Sequence, residues 1–122
     1  MRPIILVTDP PDPEALSTRK LVLESAKYNV LTAFTGGEAL EIATKVAIDA
    51  AVVHERIENE DVREVVKELR RVRPEAPVIV VSPQPEKISV GDHVLNSHDP
   101  VALVNLICQL LGAPDEQSNA IV

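Results

Sequence analysis

The stretch IDAAVVHERI, residues 48–57, decides the fold class. Its core, residues 50–53, is a continuous run of small and β-branched apolar residues, which is typical of a strand buried on both faces of a parallel sheet. The run then changes abruptly to His54, Glu55 and Arg56. Since sites in open parallel sheets lie outside the carboxyl ends of the strands, His54 stands at a candidate functional position.

Runs of the same kind flank this stretch, and helical patterns separate them. Strands are predicted over residues 3–8, 30–34, 49–53, 77–82 and 93–96. Helices are predicted over residues 12–29, 35–46, 61–72 and 99–112. Strands that alternate with helices indicate an α/β protein, a three-layer sandwich with a five-stranded parallel sheet at its centre.

Capping residues support the predicted helix limits. Asp12 is expected to cap the first helix, and Thr35 with Glu38 forms a capping box for the second. Asp99 is expected to cap the last helix, and Gly112 to end it.

Length and composition restrict the function classes. The 122 residues predict one domain, residues 1–112, followed by a polar, mobile tail over residues 113–122. A net charge of −7 disfavours nucleic acid as a partner. The single cysteine excludes an intrachain disulfide, and the apolar runs are too short for a membrane helix or a signal peptide. A cytoplasmic protein is expected, with no membrane partner.

Four segments together resemble a bacterial response-regulator receiver domain, the CheY-like fold. They are YNVLTAFTGGEALEIA (28–43), IDAAVVHERI (48–57), VREVVKELRRVRPEAPVIVVS (62–82) and DHVLNSHDPVALVNLI (92–107). The resemblance implies a flavodoxin-like strand order, 2-1-3-4-5, and a role in two-component signal transduction.

The resemblance also implies five chemical positions, and this sequence departs from most of them. An acid pair that holds Mg²⁺ is replaced by Asp9 and Pro10, and the phosphoacceptor Asp is replaced by His54. Ser82 matches a Ser or Thr, and Asn96 stands at the position of a lysine. The chain is therefore expected to be a degenerate receiver, or pseudo-receiver, with no enzymatic turnover and with weak or absent Mg²⁺ binding.

Three interpretations of His54 remain open at this point. In the first, the site has decayed and His54 bonds to Asp9 or to the backbone. In the second, His54 binds a small ligand or a transition metal together with Asp9 and His98. In the third, His54 is itself phosphorylated. The second interpretation makes the pocket around Asp9, His54, Ser82 and Asn96 a sensing module. His93 corresponds to the aromatic position that switches in the family.

The connection before the fifth strand and the helix after it also depart from the pattern. About eleven residues, SPQPEKISVGD, join the last two strands, so the fourth helix of the family is predicted to be shortened or missing. Between residues 101 and 111 only Asn105 and Gln109 are polar, which leaves more apolar surface than one buried face requires.

A protein partner is expected on this last helix. The candidate interface residues are Val101, Val104, Cys108 and Leu111, with Cys108 expected to be a small buried apolar residue and not a reactive thiol. The partner is expected to be a second copy of the chain, or a histidine kinase or output protein acting in trans.

Overall fold

The computed structural model describes residues 2–10, 18–57 and 60–114. The strands are β1 (Ile4–Thr8), β2 (Asn29–Ala33), β3 (Ala50–His54), β4 (Val78–Ser82) and β5 (His93–Asn96). The helices are α1 (Thr18–Ser25), α2 (Gly36–Lys45), α3 (Val62–Val72) and α4 (Pro100–Leu111), with a 3₁₀ turn at Pro85–Lys87.

The five strands form one parallel sheet in the order β2-β1-β3-β4-β5, which confirms the predicted fold class and strand order. Successive residues of a strand point to opposite faces, so the sheet builds two cores. Leu6 packs in one core with residues of α2 and α3, while Ile5 and Val7 pack in the other with residues of α1 and α4. The predicted three-layer sandwich is therefore confirmed.

Helix α1 ends earlier than the pattern predicted, at Ser25 instead of residue 29. Lys27 adopts a left-handed backbone conformation with a φ of 76°. The Lys27 N–H donates to Glu24 O, and the Tyr28 N–H donates to Leu23 O, which is the Schellman arrangement that closes a helix. A lysine at a position that usually carries glycine concealed this end. The predicted cap at Asp12 lies outside the described residues.

The other predicted helix caps are present. The Thr35 hydroxyl oxygen accepts from the Glu38 N–H at 3.0 Å, and Glu38 accepts in return from the Phe34 N–H at 2.8 Å. Asp99 accepts from the Ala102 N–H at 3.0 Å at the start of α4, and Gly112 follows its last turn. These caps satisfy backbone groups that a helix terminus leaves without partners.

The crossover between β4 and β5 contains the single 3₁₀ turn, which confirms the prediction of a shortened fourth helix. Asp92 fixes the end of this crossover. Its carboxylate accepts from the Val78 N–H and from Arg70 Nη2, both at 2.7 Å. Hydrogen bonds to Asp92 therefore hold this end of the short connection against β4 and α3.

Helix α4 buries one side and exposes the other. Leu103 and Ile107 are buried against the sheet, whereas Val101 is 67% exposed. Cys108 is exposed, so the expectation that it is buried was wrong. It follows Ile107 directly, and one residue rotates the side chain by about 100° around a helix, away from the sheet.

The chain after α4 is described only as far as Pro114, which is buried. Residues 115–122, most of the predicted tail, lie outside the described residues. Within the described parts of the chain, no helix is long and apolar enough to span a lipid bilayer.

Candidate functional site

The predicted site residues lie at the carboxyl ends of four strands. Asp9 directly follows β1, and His54, Ser82 and Asn96 are the last residues of β3, β4 and β5. The parallel register places His54 beside Val81 and Ser82 beside Asn96. The sheet therefore brings these positions to one edge.

Arg19 of α1 enters this site, although the sequence pattern did not single it out. Its Nε and Nη2 atoms lie 2.9 and 2.8 Å from Asp9 Oδ1. Its Nη1 atom donates to the Ser97 carbonyl oxygen at 3.0 Å. The Arg19 and Asp9 side chains are only 16% and 10% exposed, so this ion pair is largely removed from solvent.

The resemblance implies a bound magnesium ion, but Arg19 makes the site unsuitable for one. Mg²⁺ requires an octahedral set of oxygen ligands and is usually held by carboxylates. Pro10 supplies no side-chain oxygen, and a guanidinium already faces the Asp9 carboxylate. Among the residues that the structure describes, those at this position do not fit a divalent cation.

His54 is held by its own loop. Its Nδ1 atom accepts from the Arg56 N–H at 3.0 Å, so the ring proton of the neutral form resides on Nε2. Burial lowers the pKa of His54, and the nearby Arg19 lowers it further, against weaker opposing effects of Asp9 and Glu55. The hydrogen bond from the Arg56 N–H agrees with the first interpretation of His54, in which the histidine bonds to the backbone.

The lowered pKa of His54 predicts a pH-dependent stability. The unfolded chain protonates near the ordinary pKa of 6.5, while the folded chain resists protonation. The stabilisation is thus fully present above that pKa and decreases as the pH falls below it, with a slope of at most about 1.4 kcal/mol per pH unit. We expect His54→Asn, which keeps an acceptor for the loop N–H, to reduce the loss of unfolding free energy between about pH 7.5 and about pH 5.5.

The control for this prediction is His98→Gln, which changes an exposed histidine. Urea unfolding at each pH measures the free energy of unfolding of the wild-type protein and of both variants. An unchanged pH dependence in His54→Asn would show that His54 titrates alike in both states.

Ser82 is buried and its hydroxyl is fully engaged. It donates to Glu55 Oε1 at 2.7 Å and accepts from the Gln84 N–H at 2.9 Å. The site therefore includes Glu55, next to the histidine in sequence, as a residue that orients Ser82.

The remaining predicted residues do not complete a metal site. Asn96 Oδ1 accepts from the His98 N–H at 2.8 Å, and both residues are exposed. Among residues 2–10, 18–57 and 60–114, no group of three or more His, Cys, Asp or Glu could hold a metal ion. His93 is half-buried and lies at the opposite end of β5 from Asn96.

Comparisons with known proteins were made for sequence and for structure. No protein-family model matches the chain. The transcriptional regulatory protein GlrR of Escherichia coli strain K12 is 32% identical over 79 residues, which cover 65% of this chain and 17% of that protein. The chain thus spans about a sixth of the length of this curated relative.

Two solved structures cover nearly the full described fold. The receiver domain of the hybrid histidine kinase CckA is 26% identical with a TM-score of 0.72, and the match covers 88% of this chain and 98% of that one. The receiver domain protein of Methanospirillum hungatei JF-1 is 22% identical with a TM-score of 0.78, and covers 98% and 99%. By its strand order and by these matches, the chain has the CheY-like fold of response-regulator receiver domains.

Proposed function

We propose that the chain is an atypical receiver domain of two-component signal transduction that acts in the cytoplasm by protein contact, without phosphorylation of an Asp and without enzymatic turnover. The observation that carries the proposal is His54, which ends β3 at the position where the resemblance expects the phosphoacceptor. An imidazole there removes the carboxylate nucleophile while the surrounding fold is kept.

Phosphorylation of His54 itself is disfavoured by its hydrogen bond. The nucleophilic nitrogen of a neutral imidazole is the one without a proton, and here that nitrogen is Nδ1. Nδ1 already accepts from the Arg56 N–H. Phosphoryl transfer to either nitrogen would require loss of this bond.

We expect no phosphoryl adduct when the protein is incubated with Mg²⁺ and acetyl phosphate. Intact-mass spectrometry measures the product, and a receiver domain with an acceptor Asp serves as the positive control in the same buffer. An adduct would contradict the proposal, and its stability in alkali would distinguish phosphohistidine, which survives, from an acyl phosphate, which hydrolyses.

The partner surface that we propose is the outer side of α4. Val101, Val104, Cys108 and Leu111 follow a 3-4-3 spacing, which places them along one stripe as in a heptad seam. Val101 and Cys108 are exposed, and Val104 and Leu111 are partly buried. The stripe is thus apolar over three turns, with Val101 and Cys108 exposed and with Val104 and Leu111 partly covered by the core.

The occupant that we propose for this stripe is a second copy of the chain. Residues 100–111 contain no charged side chain, whereas the whole chain carries a net charge of −7. Two copies can approach through this helix with less repulsion than through their charged surfaces.

We expect Val101→Glu to shift the protein from dimer to monomer, since it introduces two like charges into the symmetric interface. The association constant should fall by about tenfold or more, measured by analytical ultracentrifugation. Phe34→Glu is the matched control, because Phe34 is 49% exposed and directly follows the edge strand β2. A wild-type protein that stays monomeric at high micromolar concentration would contradict self-association.

A further inference from the structure

Arg19 contacts both the residue after β1 and the loop after β5. We propose that the Arg19 guanidinium is a permanent internal replacement for both the divalent cation and the lysine of a receiver site, and that it holds the loop before α4 in one conformation. This inference deepens the proposed function. The contacts of Arg19 stand without that function, and only their meaning for signalling rests on it.

The first argument is charge balance. In the pattern that the resemblance implies, three carboxylates are balanced by Mg²⁺ and a lysine. Here Pro10 and His54 remove two of those carboxylates, and Asn96 removes the lysine. Asp9 alone remains, and the single charge of Arg19 neutralises it at 2.8 Å. Asp9 and Arg19 thus form a pair with no net charge, which does not require a metal ion for charge balance.

The second argument is the arginine's third contact. Nη1 donates to the Ser97 carbonyl oxygen, so the guanidinium joins β1 and α1 to the loop after β5. Two backbone hydrogen bonds also hold this loop. The Ser97 N–H donates to Ser82 O at 2.9 Å, and the Asp99 N–H donates to Asn96 O at 3.1 Å. Asp99 caps α4, so the loop fixed by Arg19 leads directly into the proposed partner helix.

The third argument concerns the groups around the pair. Glu55 is engaged by Ser82 at 2.7 Å and lies 4.0 Å from Arg56 Nε. Burial and, after it, the positive charge of Arg19 lower the pKa of His54, which favours the neutral ring beside the ion pair.

Amide hydrogen exchange by NMR tests the proposal. In Arg19→Gln, the Ser97 and Asp99 amides should exchange about tenfold faster or more, because a charged hydrogen bond that fixes their loop is lost. The amide of Val46, which caps the end of α2 and donates to Ile42 O, should keep its wild-type rate. Arg71→Gln is the control, since it removes an exposed ion pair with Glu68. It should change the exchange rates neither of the loop amides nor of the Val46 amide.

A second variant keeps the test valid if Arg19→Gln does not fold. Asp9→Asn combined with Arg19→Gln removes both charges together and avoids an unpaired buried carboxylate. Its loop amides should still exchange faster than those of Asp9→Asn alone. Wild-type exchange rates in the double variant would overturn the proposal.

A metal titration provides the independent readout. Mn²⁺ as a paramagnetic probe should leave the wild-type signals of Asp9 and His54 unbroadened at millimolar concentration. Saturable broadening confined to these residues would overturn the proposal. A phosphoryl adduct on the wild-type protein would contradict the proposed function instead, and unchanged loop exchange would contradict only the role of Arg19.

Discussion

Replacing Leu103 with alanine should lower the free energy of unfolding by about 3 kcal/mol, the largest effect that we expect from a single substitution. Leu103 is 1% exposed and packs in the core that α4 shares with β1, β3 and β4. Truncation removes the favourable burial of the side chain and leaves a cavity, because a close-packed sheet relaxes only in part.

The matched control for this prediction is Leu21→Ala. Leu21 also lies on a helix, α1, but it is 54% exposed, so the same change should alter stability by less than about 0.5 kcal/mol. Urea unfolding, fitted with one common m-value, measures the free energy of unfolding of both variants. Equal losses in the two variants would show that α4 is not docked on the sheet as the structure describes.

Replacing Gly36 with alanine should destabilise the protein by about 2 kcal/mol through overpacking. A Cβ atom at Gly36 would lie 2.6 Å from Val65 Cγ2 and 2.6 Å from Glu60 Oε1. Glu60 also accepts from the Gly36 N–H at 2.6 Å, so the added carbon would displace the contact that joins the start of α2 to the chain before α3.

The neighbouring glycine provides the control. A Cβ atom at Gly37 would meet nothing closer than Thr35 Oγ1 at 3.9 Å. Because alanine is the better helix former, Gly37→Ala should be neutral or stabilising by up to about 1 kcal/mol. A stability loss of similar size in both variants would indicate a shared effect at the helix start instead of the contact with Val65.

The fold was predictable from sequence because doubly buried parallel strands leave a distinctive pattern. The runs at residues 50–53 and 78–81 are apolar at every position, and only a sheet covered on both faces produces such strands. The end of α1 was not predictable, because Lys27 adopts a conformation that its residue type does not signal. Cys108 was misjudged because polarity alone does not report which side of a helix faces the sheet.

The candidate site was predictable only in part. Asp9, His54, Ser82 and Asn96 follow from the rule that parallel strands bring their carboxyl ends to one edge. Arg19 does not, because its contacts bridge separations of 10 residues to Asp9 and 78 residues to Ser97. No local period or spacing encodes such contacts, which depend on where the fold places α1 relative to the carboxyl ends of β1 and β5.

The contact between Arg19 and Ser97 also sets an order of events during synthesis. The ribosome adds about 5–20 residues per second, so the 78 residues between the two partners take roughly 4 to 16 s to follow Arg19. During that interval Asp9 and Arg19 can pair with each other, but the loop that they hold does not yet exist. The site is therefore completed only after all five strands have been made, and a nascent chain interrupted before β5 cannot display the finished surface to a partner.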